Sequence, residues 1–471
     1  MFHTIPLPGE PGYDTWPDGA FKTAGGVHNW SELTVDEENG TAFIPTGTGR
    51  FDFYGGNRKG TNLYANSLVA LDAESGKVKW FKQLVHHDLW DFDLPQSPKL
   101  LTLRRNGRTI QAVAQATKMG FVFVFDRKTG EPVFPIEERP VPQSDVPGEA
   151  SWPTQPFPTK PAPFARQSFT EKDVNPFLPP AELEAMKARL RNARNEGLYT
   201  PPSIRGSISM PGHNGGANWG SGAVDPIRGE MYIVAKNMPV MNRLIRSNEE
   251  PTAGGALGGG PPSPIITPEE ETKLIAEAKD ALAKGPVRYT SPYDFLQSPT
   301  NGMVAIGPPW SLLTAYDLNT GEIKWQVPDG GVTPPPGSNS GIPADSGAHM
   351  PRGGPLVTAG GLVFVATASD RTVRAYDRDN GKVVWKTDLP TGSEGVPASY
   401  EVNGRQFIVF PVAAGQGLFP IRFGGAGPGA APSGAPEAAA AAGQGRGGRG
   451  GRGGGAPQPA GAYIAYALPP K

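Results

Sequence analysis

Leu68-Val69-Ala70-Leu71-Asp72, a turn through Gly76 and a return to Trp80: this stretch decides the fold, because the chain repeats it. The same order of apolar strand, Asp, Gly turn and large aromatic runs from Val122-Phe123-Val124-Phe125-Asp126 through Gly130 to Phe134. It runs again from Leu313-Thr314-Ala315-Tyr316-Asp317 through Gly321 to Trp325, and from Val373-Arg374-Ala375-Tyr376-Asp377 through Gly381 to Trp385. Weaker copies lie at Asp36 to Gly40 and Asp225 to Gly229. Asp bonds backbone amides in the turn, and Gly supplies positive φ where the hairpin reverses. Alternating apolar residues bury the strand faces, and a recurring Trp packs one repeat on the next. Small antiparallel sheets at intervals of roughly 40–60 residues predict an all-β chain, a β-propeller. A helical solenoid would not alternate in this way, and a sandwich would not need an aromatic at a fixed offset.

Three segments interrupt the repeat. Residues 135–210 form a Pro-rich insertion, with a helix predicted near Pro180–Asn195. In it Glu182, Glu184 and Lys187 face solvent among Leu183, Met186 and Leu190. Residues 244–310 hold a Gly/Pro stretch and a helix near Pro268–Ala283, and read as a cover over one face. Residues 424–461 are almost entirely Gly, Ala, Pro, Gln and Arg; they cannot bury a core and are expected to be disordered. Strand character returns at Ala462–Leu468, which places that tract inside the last repeat.

With 44 basic and 45 acidic residues the chain has no electrostatic footprint for nucleic acid or an anionic membrane. Three Arg residues at 446, 449 and 452 are too sparse to change that. The absence of cysteine excludes disulfides, thiolate metal sites, Cys-x-x-Cys-His haem attachment and a cysteine nucleophile. No apolar stretch is long enough to span a bilayer. Met1–Glu10 lacks the basic start and apolar core of a signal peptide, and reads as the middle of a longer protein.

The chemistry concentrates in His86-His87-Asp88-Leu89-Trp90-Asp91-Phe92-Asp93 and in Gln115-Ala116-Thr117-Lys118-Met119-Gly120. Read alone, Asp91 caps a turn and Lys118 is a surface lysine. Together with their repeats these runs resemble the membrane-type glucose dehydrogenase branch of the pyrroloquinoline quinone enzymes, over nearly the whole chain. The resemblance implies an eight-bladed propeller, incomplete here. It makes Asp91 the catalytic base, and Lys118, 27 residues on, the cation that hydrogen-bonds the quinone oxygens. Trp30, in Gly25-Gly26-Val27-His28-Asn29-Trp30, becomes the ring-stacking platform, with His28 beside it. Gly215-Gly216-Ala217-Asn218 supplies an amide contact through Asn218, followed by Trp219. His86 and His87 orient Asp91 or pack locally, and neither is assigned a metal.

The resemblance also implies Ca²⁺ or Mg²⁺ held by Asp91, a sugar or alcohol substrate, a membrane quinone or cytochrome as electron acceptor, and the periplasm. Three departures qualify it. Thr48, in Pro45-Thr46-Gly47-Thr48-Gly49, stands where the family places an Asn metal ligand, and a hydroxyl is a poorer ligand than an amide oxygen. Ala414-Gly415-Gln416 lacks the His of the glucose-oxidising branch, which puts glucose in doubt. The blades expected before Trp30 are missing, so the chain is read as a fragment of a longer frame. The other reading is a non-catalytic propeller that binds proteins, like outer-membrane assembly factors; it would not need Asp91, Lys118 and Trp30 together.

Overall fold

The computed structural model describes residues 1–220, 222–247, 263–292, 294–334, 340–413, 421 and 461–467. The first sheet is an antiparallel meander of β1 (Thr34–Asp36), β2 (Thr41–Pro45), β3 (Ser67–Asp72) and β4 (Val78–Gln83). The second holds β5 (Lys99–Arg105), β6 (Arg108–Ala116) and β7 (Val122–Asp126). The first insertion follows with β8 (Ile136–Pro140) paired to β9 (Thr154–Pro158), helix α1 (Pro180–Asn192) and β10 (Ser207–Ser209).

The third sheet begins with β11 (Gly222–Asp225) and β12 (Glu230–Lys236). The second insertion then interposes β13 (Val240–Asn242), β14 (Ile245–Ser247), α2 (Pro268–Lys284), β15 (Arg288–Thr290) and β16 (Asp294–Phe295). The sheet resumes with β17 (Ser311–Asp317) and β18 (Glu322–Pro328), in the order β11-β12-β17-β18. The fourth holds β19 (Leu356–Val357), β20 (Leu362–Thr367), β21 (Thr372–Asp377) and β22 (Val383–Asp388). The fifth holds β23 (Ala398–Val402), β24 (Arg405–Val412) and β25 (Ala462–Ala467). These are the small sheets of a β-propeller. Among the described residues they do not close into a ring.

The template acts as its composition predicts. In the four strong copies the turn Gly donates to the Asp carbonyl at 2.8–2.9 Å. Three copies also carry a register shift at the same place, Ala70/Leu71, Ala315/Tyr316 and Ala375/Tyr376. The closing aromatic then docks on the turn of the next sheet. A Cβ on Gly130 would lie 2.7 Å from the Trp80 indole, one on Gly321 2.7 Å from the Phe134 ring, and one on Gly381 2.7 Å from Trp325. The indole N–H groups of Trp80 and Trp325 donate to Arg127 O (3.2 Å) and Arg378 O (2.8 Å). Sheets one to four are thus joined in chain order.

Both predicted helices form. α1 stops at Asn192 because Ala193 turns extended, and it buries Met186 and Leu190 while Arg189 pairs with Asp294 at 2.5 Å. α2 opens on a Thr267–Glu270 capping box and ends at Gly285. The insertions pack together, Met186 and Leu190 sharing a core with Met238, Val240 and Phe295. Ala278 of α2 packs with Phe53, Tyr54 and Val146. Almost all of the predicted disordered tract, and Ala414-Gly415-Gln416, lie outside the described residues. Among those residues no helix is long and apolar enough to cross a membrane.

Candidate active site

Two turns bring the charged residues together. Lys118 sits in the tight turn between β6 and β7, where Thr117 N donates to Phe121 O at 3.0 Å. Asp91 lies in the link between β4 and β5. Trp90 and Phe92 anchor that link in the core against Tyr199, and the indole N–H of Trp90 donates to Thr200 O at 2.7 Å. The alternating partners, Asp91 and Asp93, meet Lys118. Its Nζ donates to Asp91 O at 2.7 Å and Asp93 Oδ2 at 2.9 Å, with Asp91 Oδ2 at 3.3 Å.

Asp88 holds this geometry. Its buried carboxylate accepts from Trp90 N (2.8 Å), Phe92 N (2.7 Å), Asn66 Nδ2 (2.9 Å) and the Thr48 hydroxyl, while Arg58 donates to its carbonyl. The bonds to Trp90 N and Phe92 N curl the chain around Asp91, whose φ is 58°. The histidines lock the link from outside. His87 Nε2 lies 2.9 Å from Glu149 Oε1, with both side chains buried, and His86 Nε2 lies 3.0 Å from Glu138 Oε1. Both glutamates belong to the first insertion. The histidines therefore pack and orient, and Glu149, Asp88 and Asp93 are members that the spacing of single motifs did not reveal.

Burial, with Asp93 and Asp52 nearby, holds the Asp91 carboxyl well above the usual carboxylate range, although Lys118 pulls it down. Burial acts on Asp93 too, but Lys118 and the hydrogen bonds it accepts outweigh that and bring it to about 2. Burial lowers Lys118, and the two carboxylates more than restore it, so it stays cationic. The pair is thus asymmetric: one carboxylate holds the lysine, and the other is poised to carry a proton.

The remaining expected residues fall at different distances from this pair. Trp30 is 41% exposed, and Lys118 Nζ lies 5.9 Å from its ring centroid, so an open aromatic face adjoins the cation. His28 is exposed on the same segment, and its carbonyl accepts from Gly47 N. Asn218 turns its amide to Asn214 O (2.9 Å) and accepts from Trp219 N (2.8 Å). The glycine before it is explained by contact: at Gly215, φ 75°, a Cβ would lie 2.6 Å from Lys118 Cγ. Thr48 braces the carboxylates, its hydroxyl donating to Asp88 and its amide to Asp93 Oδ1 at 2.6 Å. Among the described residues no three His, Asp or Glu side chains gather in metal-binding geometry. Of the two expected metal ligands, the Asp91 carboxylate lies 3.3 Å from Lys118 Nζ, and the Thr48 hydroxyl is turned to Asp88.

An open aromatic face thus lies beside a fixed cation and a carboxylate. The chain belongs to the family described as "PQQ: Glucose/ethanol/alcohol dehydrogenase, beta-propeller domain", whose model matches residues 1–408. It is 35% identical over 418 residues to a quinate/shikimate dehydrogenase (quinone) of Acinetobacter baylyi, covering 86% of this chain and 49% of that protein. It is 32% identical over 395 residues to the glycerol dehydrogenase large subunit of Gluconobacter thailandicus, covering 82% and 52%. It is 32% identical over 418 residues to the quinoprotein glucose dehydrogenase of Escherichia coli, covering 84% and 48%. The chain spans about half the length of these relatives. Among solved structures, a quinohemoprotein alcohol dehydrogenase from Pseudomonas putida matches in fold with TM-score 0.55 at 20% identity, covering 88% of this chain and 50% of that one. A europium-containing methanol dehydrogenase matches with TM-score 0.54 at 20% identity, covering 88% and 55%.

Proposed function

We propose that this chain is the catalytic part of a pyrroloquinoline quinone-dependent dehydrogenase that oxidises a CH–OH group, with Asp91 as base. The observation that carries it is the meeting of Asp91, Asp93, Lys118 and the exposed Trp30 in one place. When bound, the quinone supplies a two-electron acceptor for the hydride of the substrate carbon. Trp30 offers a flat face for its ring system. Lys118, with its charge fixed by Asp93, would stabilise the charge that a bound quinone takes on. Asp91 takes the hydroxyl proton; its raised affinity for protons suits it to that task. Trp90, Phe92 and Tyr199 exclude water beneath the base. Ca²⁺ or Mg²⁺ would be held by Asp91 with Thr48, while Asn218, Trp219 and His28 would contact the cofactor.

The relatives are named for glucose, glycerol and quinate or shikimate, so the substrate class spans neutral polyols and hydroxy acids. The periplasm, and a membrane quinone or cytochrome as electron acceptor, belong to the same reading. The test is reconstitution with the quinone and Ca²⁺, following dye reduction across sugars, polyols and hydroxy acids. Reduction that Asp91→Asn abolishes supports the reading. A folded Asp91→Asn variant that takes up cofactor and reduces dye as well as wild type would overturn it.

A further inference from the structure

The buried pair of His87 and Glu149 goes further than packing, as the surroundings of each ring nitrogen show. Nδ1 lies 2.8 Å from Gly60 O, a carbonyl that can only accept, so Nδ1 carries a hydrogen. Nε2 lies 2.9 Å from Glu149 Oε1. That oxygen also accepts from Ala150 N at 2.8 Å, and Oε2 accepts from Gly55 N at 2.5 Å. Burial pulls the Glu149 carboxyl up, but the bonds from His87, Gly55 and Ala150 outweigh it and hold the group below its usual range. An ionised carboxylate has no hydrogen to give. Nε2 therefore donates as well, and the His87 ring is an imidazolium.

Three parts of the chain meet on this pair. His87 belongs to the link that carries Asp91; its amide donates to Thr61 O at 3.1 Å, and its neighbour Asp88 sets the curl around Asp91. Gly55, Gly60 and Thr61 belong to the loop between β2 and β3, and a Cβ on Gly55 would collide with the imidazole. Glu149 belongs to the first insertion, where Val146 shares a core with Ala278 of α2 and a Cβ on Gly148 would meet Leu282 at 3.4 Å. The two side chains are 0% and 2% exposed. In so dry a place, losing either charge leaves the other uncompensated. Arg58, another buried cation near Glu149, turns its donors to Asn62 Oδ1, Phe51 O and Asp88 O instead. His86 differs, because its partner Glu138 is half exposed and an ion pair there holds little.

We propose that His87 and Glu149 are positioning residues, a buried imidazolium–carboxylate clamp through which the first insertion holds the Asp91 link in its reactive geometry. This rests on the dehydrogenase reading and adds to it the element that keeps the base in place. The clamp acts on Asp91 through the Asp88 curl, whereas Trp30 and Lys118 stand on separate segments. Its loss misplaces the base and leaves the aromatic face and the cation where they are. Binding is then spared while proton transfer suffers.

The experiment compares the whole chain with its Glu149→Gln, His87→Gln and double variants. Protein carrying isotope-labelled histidine is first studied without cofactor, through the ring-nitrogen NMR spectrum near neutral pH. The chain has six histidines, and His87→Gln identifies the signal by its loss. Wild type is expected to show that ring with both nitrogens protonated, and Glu149→Gln to show it neutral. Turnover is then measured in protein loaded with the quinone and Ca²⁺. Glu149→Gln keeps the shape of the pair and removes its charge, so kcat is expected to fall about ten- to a hundredfold with KM and cofactor affinity within about twofold. His87→Gln can serve only one of the two acceptors and should fall as far. The double variant should fall no further, because the same clamp is broken in all three. Where Glu149→Gln does not fold, Glu149→Asp, which keeps the charge but draws it back, is expected to retain the imidazolium with an intermediate kcat. A neutral ring in wild type overturns the clamp. So does an unchanged kcat in folded Glu149→Gln, which would leave shape alone as the role, and so does a double variant whose loss is the product of the two single losses. A wild type with the imidazolium signal but no dye reduction on any substrate sinks the dehydrogenase reading and the positioning of a base with it, while the charged pair stands.

Discussion

Asp91 has φ 58°, a left-handed conformation that an aspartate adopts at some energetic cost, and it is kept there by Asp88. Its half-buried carboxylate shares Lys118 with Asp93, so two like charges meet on one cation. Asp91→Asn removes the proposed base and a strained charge at once. Turnover is expected to fall by about 10²–10⁴-fold while thermal stability holds or rises, measured by dye reduction and by calorimetric melting. In the proposed reaction Asp91 works only when ionised, so activity is expected to rise with pH through its raised titration. The acid limb of the rate profile then lies above the ordinary carboxylate range and vanishes in the variant. Asp93 has the opposite sign. Its folded value of about 2 lies below the unfolded one, so its contribution, on the order of 2 kcal/mol, is present above about pH 4 and lost as pH falls toward 2. Asp93→Asn should remove that part of the acid unfolding curve. Asp91 and Lys118 were legible because resemblance attaches meaning to their 27-residue interval. Asp88 and Glu149 were not, since each gains its role from a distant partner that only folding brings near.

The joints between sheets follow from a single pairing of residue types. Gly381 has φ 73° and a Trp325 ring where its Cβ would be, so Gly381→Ala meets both backbone strain and overpacking. A loss of about 1–3 kcal/mol is expected in denaturant unfolding. A double-mutant cycle with Trp325→Ala should recover part of it, because removing the indole removes the clash. The Asp, Gly and Trp of each joint were readable from the sequence because they are local to the hairpin. The second copy departs in detail: Phe134 lies beyond the last strand of its three-stranded sheet, yet reaches Gly321 all the same. Helix ends were readable to within a few residues, from capping chemistry at α2 and from amphipathic spacing at α1. The pairing of β10 with β13, and of β13 with β16, was not. Three short strands from two insertions carry no period long enough to read.

The propeller class was legible as a whole, because a repeated unit that cannot bury its faces alone must stack. Interlocking of the two insertions was not, since it depends on contacts such as Arg189 with Asp294, 105 residues apart. One feature of the stack governs how the molecule comes apart. Trp325 is buried on its neighbour, whereas Trp385 is 40% exposed and β23 is exposed throughout. At the other end Leu33 and Val35 are exposed, while every residue of β12 is buried. Each sheet borrows stability from the ones beside it, and the burial along the stack shows where that support is greatest. Amide exchange should therefore be graded along the chain, slowest in β12 and β17 and fastest in β1 and β23. Loosening of one sheet would reach the next through the aromatic lodged on its turn, so the Asp91–Lys118 pair, set at the second sheet, depends on the joints at Gly130 and Gly321 holding on either side of it.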